Sequence, residues 1–119
     1  MGDDSFENLL VWQKAMDLVV KVYRLSQQGP LSKDWGMRDP LQRAAVSVPA
    51  NISEGYERAG RKEYIHFLTI AKSSSGELRC LRISAARLKY LSGQDSSDTI
   101  NDSREVSRML KGLINSLQV

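Results

Sequence analysis

Apolar side chains return every three or four residues through most of this chain, which is the spacing one face of an α-helix requires. From Asn8 to about Ser26 they fall at Leu9, Trp12, Met16, Val19 and Tyr23. A second series runs through Leu41, Ala44, Ala45, Val48 and Ile52, and a third through Phe67, Ile70, Ser74, Leu78, Leu81, Ala85 and Leu88. The fourth is Val106, Leu110, Leu113 and Leu117, flanked by Met109 and Ile114. No stretch carries the alternation of a strand. Such faces are buried by setting helix against helix, so the expected fold is all-α, an up-and-down four-helix bundle.

The punctuation between the series predicts helices at about 8–26, 37–58, 61–91 and 97–117 in one domain spanning residues 1–119. Gln27-Gln28-Gly29-Pro30 ends the first, since glycine suits the left-handed position after a helix and proline cannot extend one. Pro40 fits a first turn, whereas Pro49 falls inside the second helix and predicts a kink or a restart at Ser47. Gly55 or Gly60 marks the end of that helix. The third segment has no proline, and Gly76 costs it about 1 kcal/mol against alanine. Ser92-Gly93-Gln94 makes the last turn, and Asp95 to Asp98 offer caps for the fourth helix.

With 119 residues, 41% hydrophobic and 26% charged, the chain has the composition of one folded domain. Its apolar runs are short, Leu18-Val19-Val20 among the longest, so no membrane span is expected. The start, Met1-Gly2-Asp3-Asp4-Ser5, is acidic and unlike a secretory signal, and Phe6 stands where myristoylation wants serine or threonine. Cys80 has no second cysteine to pair with, and His66 alone completes no zinc set. The expected compartment is the cytoplasm.

Charge is concentrated on the third helix. Arg61, Lys62, Lys72, Arg79, Arg82, Arg87 and Lys89 stand against only Glu63 and Glu77. Arg61, Lys72, Arg79, Arg82 and Lys89 are expected on the side opposite the leucines, where they would neutralise phosphates and release counterions. The plain alternative is a solvated helix face, which lysine and arginine occupy in most bundles. In a ring, repeated copies of such a face would act at high effective concentration.

Polar side chains also fall near the apolar faces: Ser47, Asn51 and Glu54 on the second helix, Ser74 and Glu77 on the third. Buried polar groups need partners, so these five are expected to form a hydrogen-bonded layer that fixes helix pairing or the turn after Glu54. A catalytic carboxylate pair would want a histidine, nucleophile or second close acid, and none accompanies them. Asp98, Asp102 and Glu105 share a face, but acids at a helix start oppose the positive end of its dipole without any metal. His66 and Cys80, 14 positions apart on one helix, would lie about 21 Å apart and cannot act as base and nucleophile in one subunit. Trp12, Trp35, Tyr23, Tyr56, Tyr64 and Tyr90 read first as core or interface aromatics. No glycine-rich phosphate loop appears, so no cofactor, metal or small-molecule substrate is expected, and the chain reads as non-enzymatic.

Three blocks carry a resemblance. Phe6 with Trp12-Gln13-Lys14-Ala15, then Arg43 through Gly55 with its Ser47-Val48-Pro49-Ala50-Asn51-Ile52-Ser53-Glu54-Gly55 run, then Tyr64 through Ala71 with Glu77-Leu78, resemble the family of 23S rRNA-intervening-sequence proteins. The likeness covers about residues 6 to 117. It implies an up-and-down bundle without established catalytic activity, and, as several members form pentameric rings, a homo-oligomer for which a pentamer is expected. A related branch resembles the accessory protein of diversity-generating retroelements, which implies a basic barrel that binds nucleic acid and the reverse transcriptase; for this chain the expected ligand is structured RNA or other nucleic acid. A protein-interaction scaffold with no nucleic-acid ligand is the competing expectation. Two positions depart from the family pattern: Ser73-Ser74 where glycine then serine is usual, and Pro40 where glutamine is frequent.

Overall fold

Four α-helices follow one another, α1 (Leu10–Ser26), α2 (Trp35–Glu57), α3 (Arg61–Arg87) and α4 (Gly93–Leu117), with short 3-10 turns at Phe6–Asn8 and Gly29–Lys33. The structure is a computed structural model that describes residues 5–118, the side chain of Thr99 excepted. No strand occurs among the described residues. Each helix packs against two others, α1 on α2, α2 on α3, α3 on α4 and α4 back on α1. Cross-helix contacts fix the sense: Lys14 meets Glu105 and Lys21 meets Asp102, while Ser47 meets Ser74 and Gly55 meets Phe67. In both pairs the numbers rise on one helix as they fall on the other, so the neighbours are antiparallel. The bundle measures 45 × 24 × 22 Å, the long side matching the roughly 40 Å of a 27-residue helix.

Helix ends follow local chemistry. Asp34 caps α2 by accepting the Met37 amide at 3.2 Å. Gly60, at φ 99, turns the chain into α3 in a conformation that only glycine adopts cheaply. α3 stops at Arg87 rather than near residue 91. Lys89 enters the left-handed region at φ 62, its amide bonds the Ala86 carbonyl at 2.9 Å, and the Tyr90 amide bonds Ala85 at 2.9 Å. This paired closure satisfies two carbonyls the helix would leave open. Ser92, not the Asp95–Asp98 stretch, caps α4, accepting the Asp95 amide at 3.1 Å.

α2 runs unbroken through both Pro40 and Pro49. The restart expected at Ser47 does not occur, although a proline at 49 leaves the Ala45 carbonyl without its usual amide. Packing holds the turn closed: Val48 and Ile52 are fully buried and Pro49 is buried between them.

The core is lined by Val11, Ala15, Leu18 and Val22 from α1, Leu41, Ala44, Ala45, Val48 and Ile52 from α2, Leu68, Ala71, Leu78 and Ala85 from α3, and Val106 and Leu110 from α4. On α1 this row lies one residue out of phase with the expected Leu9, Trp12, Met16, Val19 and Tyr23, which are only half-buried. Two adjacent rows of α1 are apolar, and periodicity cannot say which one meets the other helices. Leu88 is 51% exposed, because the helix has already ended where it would have joined the core.

Candidate nucleic-acid interface

The cations expected to line one face of α3 are divided by the tertiary structure. Arg61 and Lys72 are exposed and Arg79 is half-buried. Lys89 sits beyond the end of α3 in the left-handed turn, so it is no part of a helical stripe. Arg82 is 1% exposed. It continues the row Ala71, Ser75, Leu78, Arg82, Ala85, whose steps of four and three keep it in phase with the core, and it borders Val22, Leu25, Leu31, Leu41 and Leu91. Burial pushes its guanidinium down to about 10, and the Asp102 carboxylate opposes that shift. Arg82 is an interior cation and cannot contact a polyanion.

The polar layer forms in part. Ser47 Oγ and Ser74 Oγ are 2.7 Å apart across α2 and α3, and the Asn51 side-chain amide donates to Ser47 Oγ at 3.0 Å and to the Ser47 carbonyl at 2.8 Å. Glu54 and Glu77 do not belong to it. Both are exposed, and Glu54 instead accepts from Arg58 at 2.8 Å along its own helix. Just beyond, Gly55 lets α3 come close: a Cβ there would meet the Phe67 Cβ at 2.7 Å.

A second polar layer, between α3 and α4, escaped the sequence reading. Ser75 Oγ donates to the Ser103 carbonyl at 3.1 Å and lies 2.8 Å from Ser107 Oγ, with Ser75 and Ser103 fully buried. The signal was present, since Ser75 is four residues after Ala71 and Ser103 three before Val106, each in step with a buried apolar row.

These serines set the register from which the outer charges can be placed. Counting about 100° per residue from them, Lys72 and Arg79 fall on the flank of α3 beside α4. Arg104 and Lys111 fall on the facing flank of α4, with Arg108 further out. In antiparallel register the order along the seam is Lys111, Lys72, Arg104, Arg79, alternating between helices in steps of about 5 Å. Lys72, Arg104, Arg108 and Lys111 are exposed, and none of the five forms an ion pair with a described residue.

The acids of α4 lie on its other flank. Glu105 pairs with Lys14 at 3.0 Å and Asp102 with Lys21 at 2.6 Å, both on α1, while Asp98 accepts from Gln94 at 2.9 Å. The hydrogen bond from Lys14, and then the Glu105 charge, hold the Lys14 ammonium above its usual value. α4 therefore sorts its charge, acids toward the α1 lysines and cations toward α3. Asp98, Asp102 and Glu105 are committed to these contacts, and among the described residues no three His, Cys, Asp or Glu side chains form a group that could hold a metal. No helix among them is long and apolar enough to cross a membrane.

His66 packs edge-on against Phe67 with ring centroids 5.2 Å apart, and Cys80 is exposed. Trp12 stacks edge-to-face on Phe6 at 5.3 Å, but Trp35 is 67% exposed and is not a core aromatic.

The fold and this sorting of charge define an up-and-down four-helix bundle with a cationic outer seam. The chain belongs to the 23S rRNA-intervening sequence protein family, whose model matches residues 7–112. It is similar to the crystal structure of a protein of unknown function from the S23 ribosomal protein family of Bacteroides thetaiotaomicron. That likeness has a TM-score of 0.81 at 24% identity and covers 88% of this chain and 98% of the other, a similarity of fold. No curated protein matches the chain.

Proposed function

We propose that the protein is a non-enzymatic, cytoplasmic nucleic-acid-binding bundle, its ligand most simply RNA, and that the α3–α4 seam is the contact surface. The observation that carries this reading is the row Lys111, Lys72, Arg104, Arg79, which gathers cations from two helices while the α4 acids face away. Such a row tracks a phosphate backbone without reading base edges, so binding is sequence-tolerant and falls steeply with salt. Arg61 lies on the same flank of α3, toward its start.

The same reading includes a homo-oligomer, pentameric as the family resemblance implies. The outer row of α1 supports it: Trp12, Met16, Val19 and Tyr23 are half-buried in one subunit, with Val20 (44% exposed) and Val46 (41% exposed) beside them. A ring would repeat the seam and multiply a weak contact.

The test is RNA binding by Lys72→Glu/Lys111→Glu across a salt series, with light scattering on the same samples. Expected are at least a tenfold loss near 100 mM salt, a log–log salt slope shallower by about two, and unchanged melting. Binding equal to that of the unaltered chain would reject the seam, and a nuclease-resistant protein complex in its place would favour a scaffold.

A further inference from the structure

Among the described residues the most exposed large apolar side chain is Trp35, at the opening of α2, with both cations and acids around it. Arg38 lies over its ring, with Cζ 5.8 Å from the centroid, and is itself held by the Ser32 carbonyl at 3.0 Å and by Asp39 at 3.1 Å. The ring borders a shallow cleft with Pro30, Lys33, Asp34 and Tyr90. The two acids here are already engaged. Asp34 accepts the Met37 amide through one oxygen and the Tyr90 hydroxyl, at 2.9 Å, through the other, while Asp39 pairs with Arg38. Lys33 on the cleft and Lys89 next to Tyr90 remain exposed, with no ion pair to a described residue.

An open indole with a guanidinium over its ring and exposed lysines at Lys33 and, beyond Tyr90, Lys89 matches one ligand well: a base that has left its stack, with phosphates on either side. We propose that Trp35 is a stacking platform for an unpaired base of single-stranded nucleic acid, with Lys33 and Lys89 meeting the flanking phosphates. A duplex keeps its bases stacked and cannot use the ring, so this site gives the protein a preference for single strands. The proposal rests on the nucleic-acid reading above but uses a different surface from the seam. The cleft lies at the end of the bundle where α3 finishes and α2 begins, the end toward which Arg79 closes the seam row. An acidic protein segment without aromatic or guanidinium side chains fits less well, because its carboxylates alone would satisfy the lysines and leave the ring's exposed face without a planar counterpart.

The full-length Trp12→Phe variant leaves Trp35 as the sole tryptophan, and its emission is followed during titration with a 12-nucleotide oligo-uridine and with a 12-base-pair RNA duplex. Saturable quenching by the single strand and little change with the duplex are expected. Trp35→Leu, made in the otherwise unaltered chain, is expected to lose about tenfold in affinity for the single strand while keeping its duplex affinity and salt slope. Oligo-uridine that binds without quenching and without sensitivity to Trp35→Leu overturns the platform and leaves the seam standing. If neither RNA binds the unaltered chain, both the platform and the seam are removed. A blue shift that grows with protein concentration and needs no RNA would show Trp35 covered by another copy, which also overturns it.

Discussion

Gly55 of α2 approaches Phe67 of α3 so closely that a Cβ added to the glycine would lie 2.7 Å from the Phe67 Cβ, with the Tyr64 ring and carbonyl each 3.2 Å away. The contact requires hydrogen at that position for steric reasons, as Gly55 lies within the helix and its φ is not in the left-handed region.

Gly55→Ala therefore drives α2 and α3 apart at this level. We expect a loss of about 1–3 kcal/mol in urea unfolding, the range for overpacking a close contact. An unchanged or higher midpoint would show that α3 gives way freely.

Ser74→Ala removes one partner of the Ser47 hydroxyl, and Ser47→Ala removes a partner of both Ser74 and Asn51. The Ser47 variant should lose more stability than the Ser74 variant, each by about 1–2 kcal/mol. The double variant should lose less than the two added together, because neither hydroxyl is then left facing an absent partner. Strict additivity in the cycle would mean the 2.7 Å contact carries no coupling.

Arg82→Met exchanges a buried guanidinium for an unbranched apolar chain two atoms shorter. It should hold or raise stability, since a buried charge is costly even with Asp102 acting on it. Arg82→Ala should lose about 2 kcal/mol or more through the cavity it leaves. RNA affinity of the methionine variant should equal that of the unaltered chain. A large drop, with melting intact, would return Arg82 to the contact surface.

The Tyr90 phenol is held above its ordinary value of about 10, chiefly by its hydrogen bond to Asp34 and then by burial. The unfolded chain thus ionises first, and above pH 10 it binds fewer protons at this position than the folded chain does. The stability from this contact is complete below pH 10 and is lost as pH rises through the folded value. The gap between the unaltered chain and Tyr90→Phe should shrink from pH 9 to pH 11. A constant gap would detach the phenol from the effect.

Several features were open to a reading of the residues alone. Leu41, Ala44, Ala45, Val48 and Ile52 are buried as their spacing requires, and Ser47 and Ser74 meet as polar side chains near core faces must. Arg82 was legible as well, through its step of four from Leu78, but grouping by charge rather than by phase set it with the exposed cations. Glu54 and Glu77 went astray differently. Each is only a fraction of a turn from a buried row, and a long carboxylate at such a border turns outward to water.

The sequence by itself determined that four helices form and roughly where they stop, because helical period, glycine turns and side-chain caps act over only a few residues. Tertiary structure alone decided which of two apolar rows of α1 is buried. It also decided that Arg104 and Lys111 stand across from Lys72 and Arg79, while Asp102 and Glu105 turn to the α1 lysines. The physical reason is range: a helix knows its own faces from its sequence, but which face meets which neighbour, and in what register, is settled by contacts between residues far apart in the chain.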